Sequence, residues 1–444
     1  MFDSVARRAR VGVFGYFGLC GLNVGIWAAS LPALADRLDL SPGRTGTALL
    51  LVSLSALVSM QAAGRLADRW SSRRLTWAAG PLHALLLLGP ALAGSYSALL
   101  AGAVVFGLGF GLLEVGMNAH AVEVEVRYGR PIMSAFHGMW SLGGAVGGVV
   151  TSAGLGGGLG VQTLLVGTAF TMAALFLLPA RLLLPGRPAR EAADASPETG
   201  ASPAAGASLE TGASRETAAS RVAGASAETG ASAAAARTGR GRVPTVILLL
   251  GVVMLAGAIC EGGAMDWAAM HARRVLGASA DLAPLSFTVY SVAMTTMRLL
   301  GDRLRGRLGA GRTLRLAGAV AAGGYALVLL APSAGGAALG CAWAGWILVG
   351  IGLATVVPVG FSSAGADPAS AGRTIALLTS FTYGGLLAGP AIIGHLAEAT
   401  SLRTALALPG VLAVFVAIAG PPAIAILAAR RTPAADSAAP ARAS

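Results

Sequence analysis

Gly64-Arg65-Leu66-Ala67-Asp68-Arg69-Trp70-Ser71-Ser72-Arg73-Arg74 is the stretch on which the reading of the fold turns. It lies between two apolar runs, near 47–66 and 75–93. Each has about the 20 residues a helix needs to cross the hydrocarbon core of a bilayer. A short loop with four arginines between two such runs reads as a hairpin on the cytoplasmic face, where basic residues are retained.

Outward from this hairpin the pattern repeats. Apolar runs near 11–34, 98–120, 132–156 and 161–184 complete six in the first half of the chain. Six more follow near 244–268, 283–302, 313–331, 337–358, 374–395 and 404–428. The expectation is an all-α membrane protein of twelve transmembrane helices with both termini cytoplasmic. That orientation leaves 27 of the 32 arginines on the cytoplasmic side and only Arg37, Arg44, Arg273, Arg274 and Arg403 outside. The formal charge of +12 is therefore topological and asks for no nucleic-acid partner. A composition 55% hydrophobic and only 12% charged excludes most soluble classes, which carry about a quarter charged residues. Met1 to Arg10 is basic, but the apolar run after it has no small-residue cleavage site and reads as the first membrane helix. Cys20, Cys260 and Cys341 sit in apolar runs without metal or redox spacing and read as small hydrophobic filler.

The segment 185–243 interrupts the pattern with low-complexity hexads such as Ala207 to Gly212 and Ala225 to Gly230, and reads as a disordered cytoplasmic linker. A disordered tail is expected at 431–444. The regions on either side of the linker, 1–184 and 244–430, are expected to be two six-helix bundles. They resemble each other. Cys20 and Cys260 each precede a Trp-Ala-Ala, at Trp27 and Trp267; Gly64 and Gly301 open arginine-rich loops; Arg130 and Arg373 enter the fifth helix of their halves, with Trp140 and Tyr383 ten residues on. The offsets, 240, 237 and 243, are nearly equal, as a duplication requires. Many transporters are built from such repeats with the substrate site between them.

The Gly64 to Arg74 hairpin resembles the loop between helices two and three of the major facilitator superfamily, Gly-x-x-x-Asp-Arg followed by basic residues. The second copy, Gly301-Asp-Arg-Leu-Arg-Gly306-Arg307, is degenerate. Glu114-Val-Gly-Met-Asn118 is similar to the Glu-x-x-x-Asn of the fucose-permease-like branch, where the Glu couples protons and contacts sugar. The runs from Met133 to Gly144 and Glu261 to Trp267 resemble a bacterial inner-membrane subgroup near that branch whose substrates are poorly defined. Where sugar permeases carry an acid in the first helix, this chain has only Asn23. The Gly-Pro-rich fifth-helix motif of drug/proton antiporters is missing its Pro, and Gly389-Pro390 stands in the eleventh helix instead. The resemblance implies a monomer in a bacterial cytoplasmic membrane.

Ionisable groups in hydrocarbon mark function by default, because they cost several kcal/mol unless paired, neutral or hydrated. Glu114, about 10 Å deep in helix four, with Asn118 one turn on, is the expected proton-coupling group. His137, at similar depth on helix five with Trp140 on its face, is its expected relay; mutual structural satisfaction is the alternative for both. Glu261, Asp266 and Trp267 are expected to contact a hydroxylated or cationic solute. Interfacial anchoring competes for Trp27 and Trp267, a solvated loop acid for Asp266, and core hydrogen bonding for Asn23, Tyr290 and Tyr383, which otherwise line the cavity. Gly64, Asp68, Arg69 and Arg73 form an expected gate latch, with Arg130, Arg307 and Arg373 at the equivalent basic positions. Arg298 is expected to snorkel to the cytoplasmic interface, and His83, His120, His271 and His395 are isolated. No metal cluster, phosphate loop or nucleophile and base stand at workable spacing, so no enzyme, cofactor or ATP-driven pump is expected. The leading expectation is proton-coupled symport of a sugar-like or other small polar solute. Proton-driven efflux of a drug or metabolite is the alternative, and a membrane sensor the third.

Overall fold

The structure, a computed structural model, describes residues 4–130, 132–185, 245–364 and 371–429. The expected linker and the tail at 431–444 thus lie outside the described residues, as does the side chain of Arg373. Among the described residues the chain is all-helical, with no strand. The first set comprises α1 (Ser4–Arg37), α2 (Pro42–Trp70), α3 (Ser72–Leu86), the short α4 (Leu88–Ala91), α5 (Tyr96–Tyr128), α6 (Met133–Gly156) and α7 (Val161–Ala180). The second comprises α8 (Thr245–Arg274), α9 (Ala283–Leu308), α10 (Ala310–Leu330), α11 (Ala338–Leu353), α12 (Val356–Ala364), α13 (Ala371–Ala399), the short α14 (Leu402–Ala405) and α15 (Ala407–Ala429).

Eight helical segments among the described residues are long and apolar enough to cross a membrane. Three expected spans fall short of that measure. At 15 residues α3 is too short and gives way to α4, α6 is diluted by glycine, and α9 carries Arg298, Arg303, Arg305 and Arg307. Local chemistry sets the boundaries. Ser41 caps α2 by accepting from the Arg44 N–H, with Pro42 in the first turn where its missing donor costs nothing. Ser95 and Ser401 cap α5 and α14 in the same way. The hairpin between α2 and α3 turns at Ser71, a non-glycine residue at φ 87°, whose hydroxyl accepts from the Arg74 N–H.

Pairings repeat across the two sets. α1 packs on α6 and α7, α5 on α2 and α3, and α3 on α7. In the second set α8 packs on α13 and α15, α11 on α9 and α10, and α10 on α15. Association in lipid rests on close packing rather than on expulsion of water. The α1–α6 contact illustrates this, since a Cβ on Gly25 would lie 2.5 Å from the Gly144 carbonyl oxygen. Bulky anchors fill the second set. Tyr325 donates to the Cys260 carbonyl oxygen at 2.7 Å and stands edge-on to Trp346. Cys20 and Cys260 are buried, and the Cys260 thiol donates to the Pro409 carbonyl oxygen at 3.1 Å. The sets meet along α2–α13, α6–α9, α1–α8 and α1–α9.

Candidate transport site

A narrow cavity opens on that seam, between α1, α6, α8 and α9. Its lining includes Gly21, Gly25, Trp140, Ser141, Glu261, Tyr290 and Arg298, with Met265, Phe287 and Met294 as apolar walls. Tyr290, Met294 and Arg298 stand four residues apart on α9 and so share one face, turned into the cavity. Arg298 donates to Glu261 Oε1 at 2.8 Å and to Ser141 Oγ at 3.2 Å, joining α8, α9 and α6.

This corrects the expectation that Arg298 snorkels to the interface. A guanidinium on the cavity face finds a counter-charge on α8 within reach and has no need of headgroups. Glu261 is brought into the cavity as expected, but committed to Arg298. Tyr290 is in the lining, its hydroxyl 3.6 Å from the Met294 sulfur.

Glu114 is partly buried on α5, where Asn118 donates to its Oε1 at 3.1 Å and to its carbonyl oxygen at 2.8 Å. It is outside the lining. Cys20 lies within electrostatic reach of its carboxyl and beside Trp140, which forms the cavity wall. The expected Glu114–His137 contact is not formed: no hydrogen bond or ion pair joins them among the described residues. The reason is that α6 packs on α1 and hardly touches α5. The His137 ring instead meets Phe17 of α1 edge-on at 5.2 Å.

The remaining expected residues divide clearly. Asn23 is fully buried with neither amide atom paired. Trp27 is buried against Phe106, and Trp267 is buried beside Gly394, its indole N–H without a partner. Neither tryptophan anchors at an interface or lines the cavity. Asp266 has no hydrogen-bond or ion-pair partner among the described residues and also lies outside the lining. Tyr383 is exposed on α13. Gly64 is buried, whereas Asp68, Arg69, Arg130 and Arg307 are exposed and Arg73 is half-exposed. Among the described residues, no hydrogen bond or ion pair ties Asp68, Arg69 or Arg73 to the second set at this end of the seam.

The opposite end is latched by residues the sequence reading did not single out. Asp36 pairs with Arg273 at 2.7 Å and with Arg274 at 3.0 Å. The Glu398 carboxylate accepts from the Gly43 N–H at 3.1 Å, and His395 shares a hydrogen bond with Thr47 at 3.3 Å. A signal was present, since Arg273 and Arg274 are among the five arginines that the expected orientation sets outside. Two histidines prove connected rather than isolated. His395 belongs to this latch. His120 accepts from the Leu184 N–H at 3.0 Å and hydrogen bonds Ser72 at 2.8 Å, tying α5 to the start of α3 and the end of the first set.

Comparison with known proteins fits this architecture. Residues 13–371 match the sequence profile of the Major Facilitator Superfamily. The chain belongs to that superfamily. Within it, an uncharacterised transporter of Sinorhizobium fredii, y4wD, is 31% identical, covering 92% of this chain and 97% of the relative. An uncharacterised transporter of this superfamily type from Yersinia pestis is 29% identical, covering 90% of this chain and 92% of the relative. Among solved superfamily structures, the nucleoside transporter NupG superposes with a TM-score of 0.67 at 15% identity, covering 97% of this chain and all of NupG. A bacterial homologue of the human lysosomal transporter Spinster, inward-facing and unoccupied, superposes with a TM-score of 0.66 at 15% identity, covering 98% of this chain and 100% of that one. Membership of the superfamily makes this chain a multi-pass membrane transporter rather than an enzyme.

Proposed function

We propose that this transporter is a proton-coupled symporter that carries a small polar solute into a bacterial cell by alternating access. The observation that carries the reading is the cavity on the seam, with the Glu261–Arg298–Ser141 chain inside it and the Glu114–Asn118 pair outside its lining. The repeated pairings support two six-helix bundles, 1–184 and 244–430, that rock about this seam in twelve spans. The arginine distribution supports cytoplasmic termini, and with that orientation the Asp36–Arg273 latch faces outward and the Gly64–Arg74 hairpin inward. The latched outer end supports a state closed to the outside, in a protein that works as a monomer.

Glu114 is the proton-exchanging group in this reading. It lies in an apolar span with no ion-pair partner among the described residues, and a carboxyl there changes protonation as access switches from one side to the other. His137 is assigned a place on the proton's route along α6 rather than a direct contact. Purified protein in liposomes with an internal pH dye tests this. Solute-induced acidification in wild type that Glu114→Gln abolishes is the expected result. Alkalinisation would indicate efflux, and full acidification in the variant would remove Glu114 from the proton path.

A further inference from the structure

We infer that the cavity takes a solute bearing a carboxylate, which binds Arg298 in place of Glu261. The inference rests on the transport reading above and names the class of its substrate.

The lining is unbalanced in hydrogen-bonding character. Arg298 uses only one N–H on Glu261 and one on Ser141, leaving most of its donors unspent. Tyr290 and Ser291 add hydroxyls, the former hydrogen-bonded among the described residues to the Met294 sulfur. Against these donors the lining offers one carboxylate, Glu261, already held by Arg298. Glu114 and Asp266 lie outside it. A solute rich in acceptors is what such a lining complements.

Charge narrows the choice further. The Glu261 side chain is 14% exposed and that of Arg298 28%, so this pair is substantially withdrawn from water. Breaking such a pair from one side leaves an uncompensated charge and is strongly unfavourable. A neutral solute that pushes Glu261 aside strands the guanidinium. A cation that pairs with Glu261 strands the guanidinium, which cannot shed its charge. An anion on Arg298 leaves the surplus charge on Glu261, which can take a proton once displaced, and a carboxylate also matches the planar fork of donors that Arg presents. Because Arg298 also holds Ser141 of α6, a solute drawing the guanidinium away loosens a bond between the two sets.

Two solute series, each varying charge on one scaffold, test the inference: glucuronate, glucose and glucosamine, and lactate, 1,2-propanediol and 1-amino-2-propanol. Ligand-induced thermal stabilisation is read in detergent, and solute uptake in liposomes. The expected result is that carboxylates alone stabilise, that Arg298→Gln weakens this binding by at least about tenfold, ~1.4 kcal/mol, and that Arg298→Lys is intermediate. Glu261→Gln is expected to retain or tighten carboxylate binding, because the internal competitor is gone. A pair with a merely structural role would lose binding in both variants. Silence of every carboxylate, binding confined to neutral or amine members, or parallel loss in Arg298→Gln and Glu261→Gln overturns the inference. Proton-coupled uptake of a neutral or amine solute would do so while leaving the symport reading standing. Arg298-dependent carboxylate binding without flux would uphold the site and sink the transport reading.

Discussion

Glu125 sits in the last turn of α5, 8% exposed, and its carboxylate accepts from the backbone N–H groups of both Ile132 and Met133 at 2.7 Å. The N-cap residue of α6, Ile132, offers no side-chain acceptor, and a residue of the previous helix caps it instead, adding negative charge where the helix dipole favours it. Glu125→Ala should leave two donors unpaired at about 1–3 kcal/mol each, visible as a lower Tm in detergent, with Glu125→Gln losing less. Reading the chain alone passed over this residue. The acid lies at a span's end, where solvation is the default, and the turn that folds it back over Gly129 is not written in any motif. Glu114 was legible for the opposite reason, since an acid in the middle of an apolar run has no bland explanation. Arg298 misled because a long cationic side chain can reach either a headgroup or a partner. Only placement on the Tyr290–Met294 face decides between them.

Helix spans were the most legible elements, and their crossings the least. Apolar runs mark α1, α2 and α5 without ambiguity, yet the break between α3 and α4 and the division of α11 from α12 left no mark that hydropathy could register. The α2–α13 crossing depends on paired glycines. A Cβ on Gly394 would lie 2.7 Å from the Pro42 carbonyl oxygen and 2.9 Å from Gly46 Cα. Gly394→Leu should therefore hold this end apart. Transport is expected to collapse while the protein still folds and binds solute, and a cysteine placed at Thr47 should label from outside in the variant but poorly in wild type. Equal labelling in the two proteins would show that the crossing does not form the outer barrier.

For the whole molecule, the duplication was legible from three nearly equal offsets, and the repeated pairings of the two sets agree with it. The conformational state was not, because a sequence is shared by every state the protein visits. The Asp36 latch is built from weak parts: Asp36, Arg273 and Arg274 have side chains about one third exposed, where an ion pair is worth ~0–1 kcal/mol. That is a fitting strength for a contact that must open in every cycle. Asp36→Asn should change unfolding stability by under about 1 kcal/mol, yet shift the population toward the outward-open form, measured as faster labelling at Thr47 and a lower rate of uptake. The pairing of Arg298 with Glu261 has an electrical consequence. A lone charge carried across the membrane field gains or loses ~2.3 kcal/mol per 100 mV, whereas this guanidinium travels with its own counter-charge. Through this pair, the unloaded protein's return stroke moves no net charge, so the voltage dependence of that step rests on the deprotonated Glu114 and should fall away in Glu114→Gln.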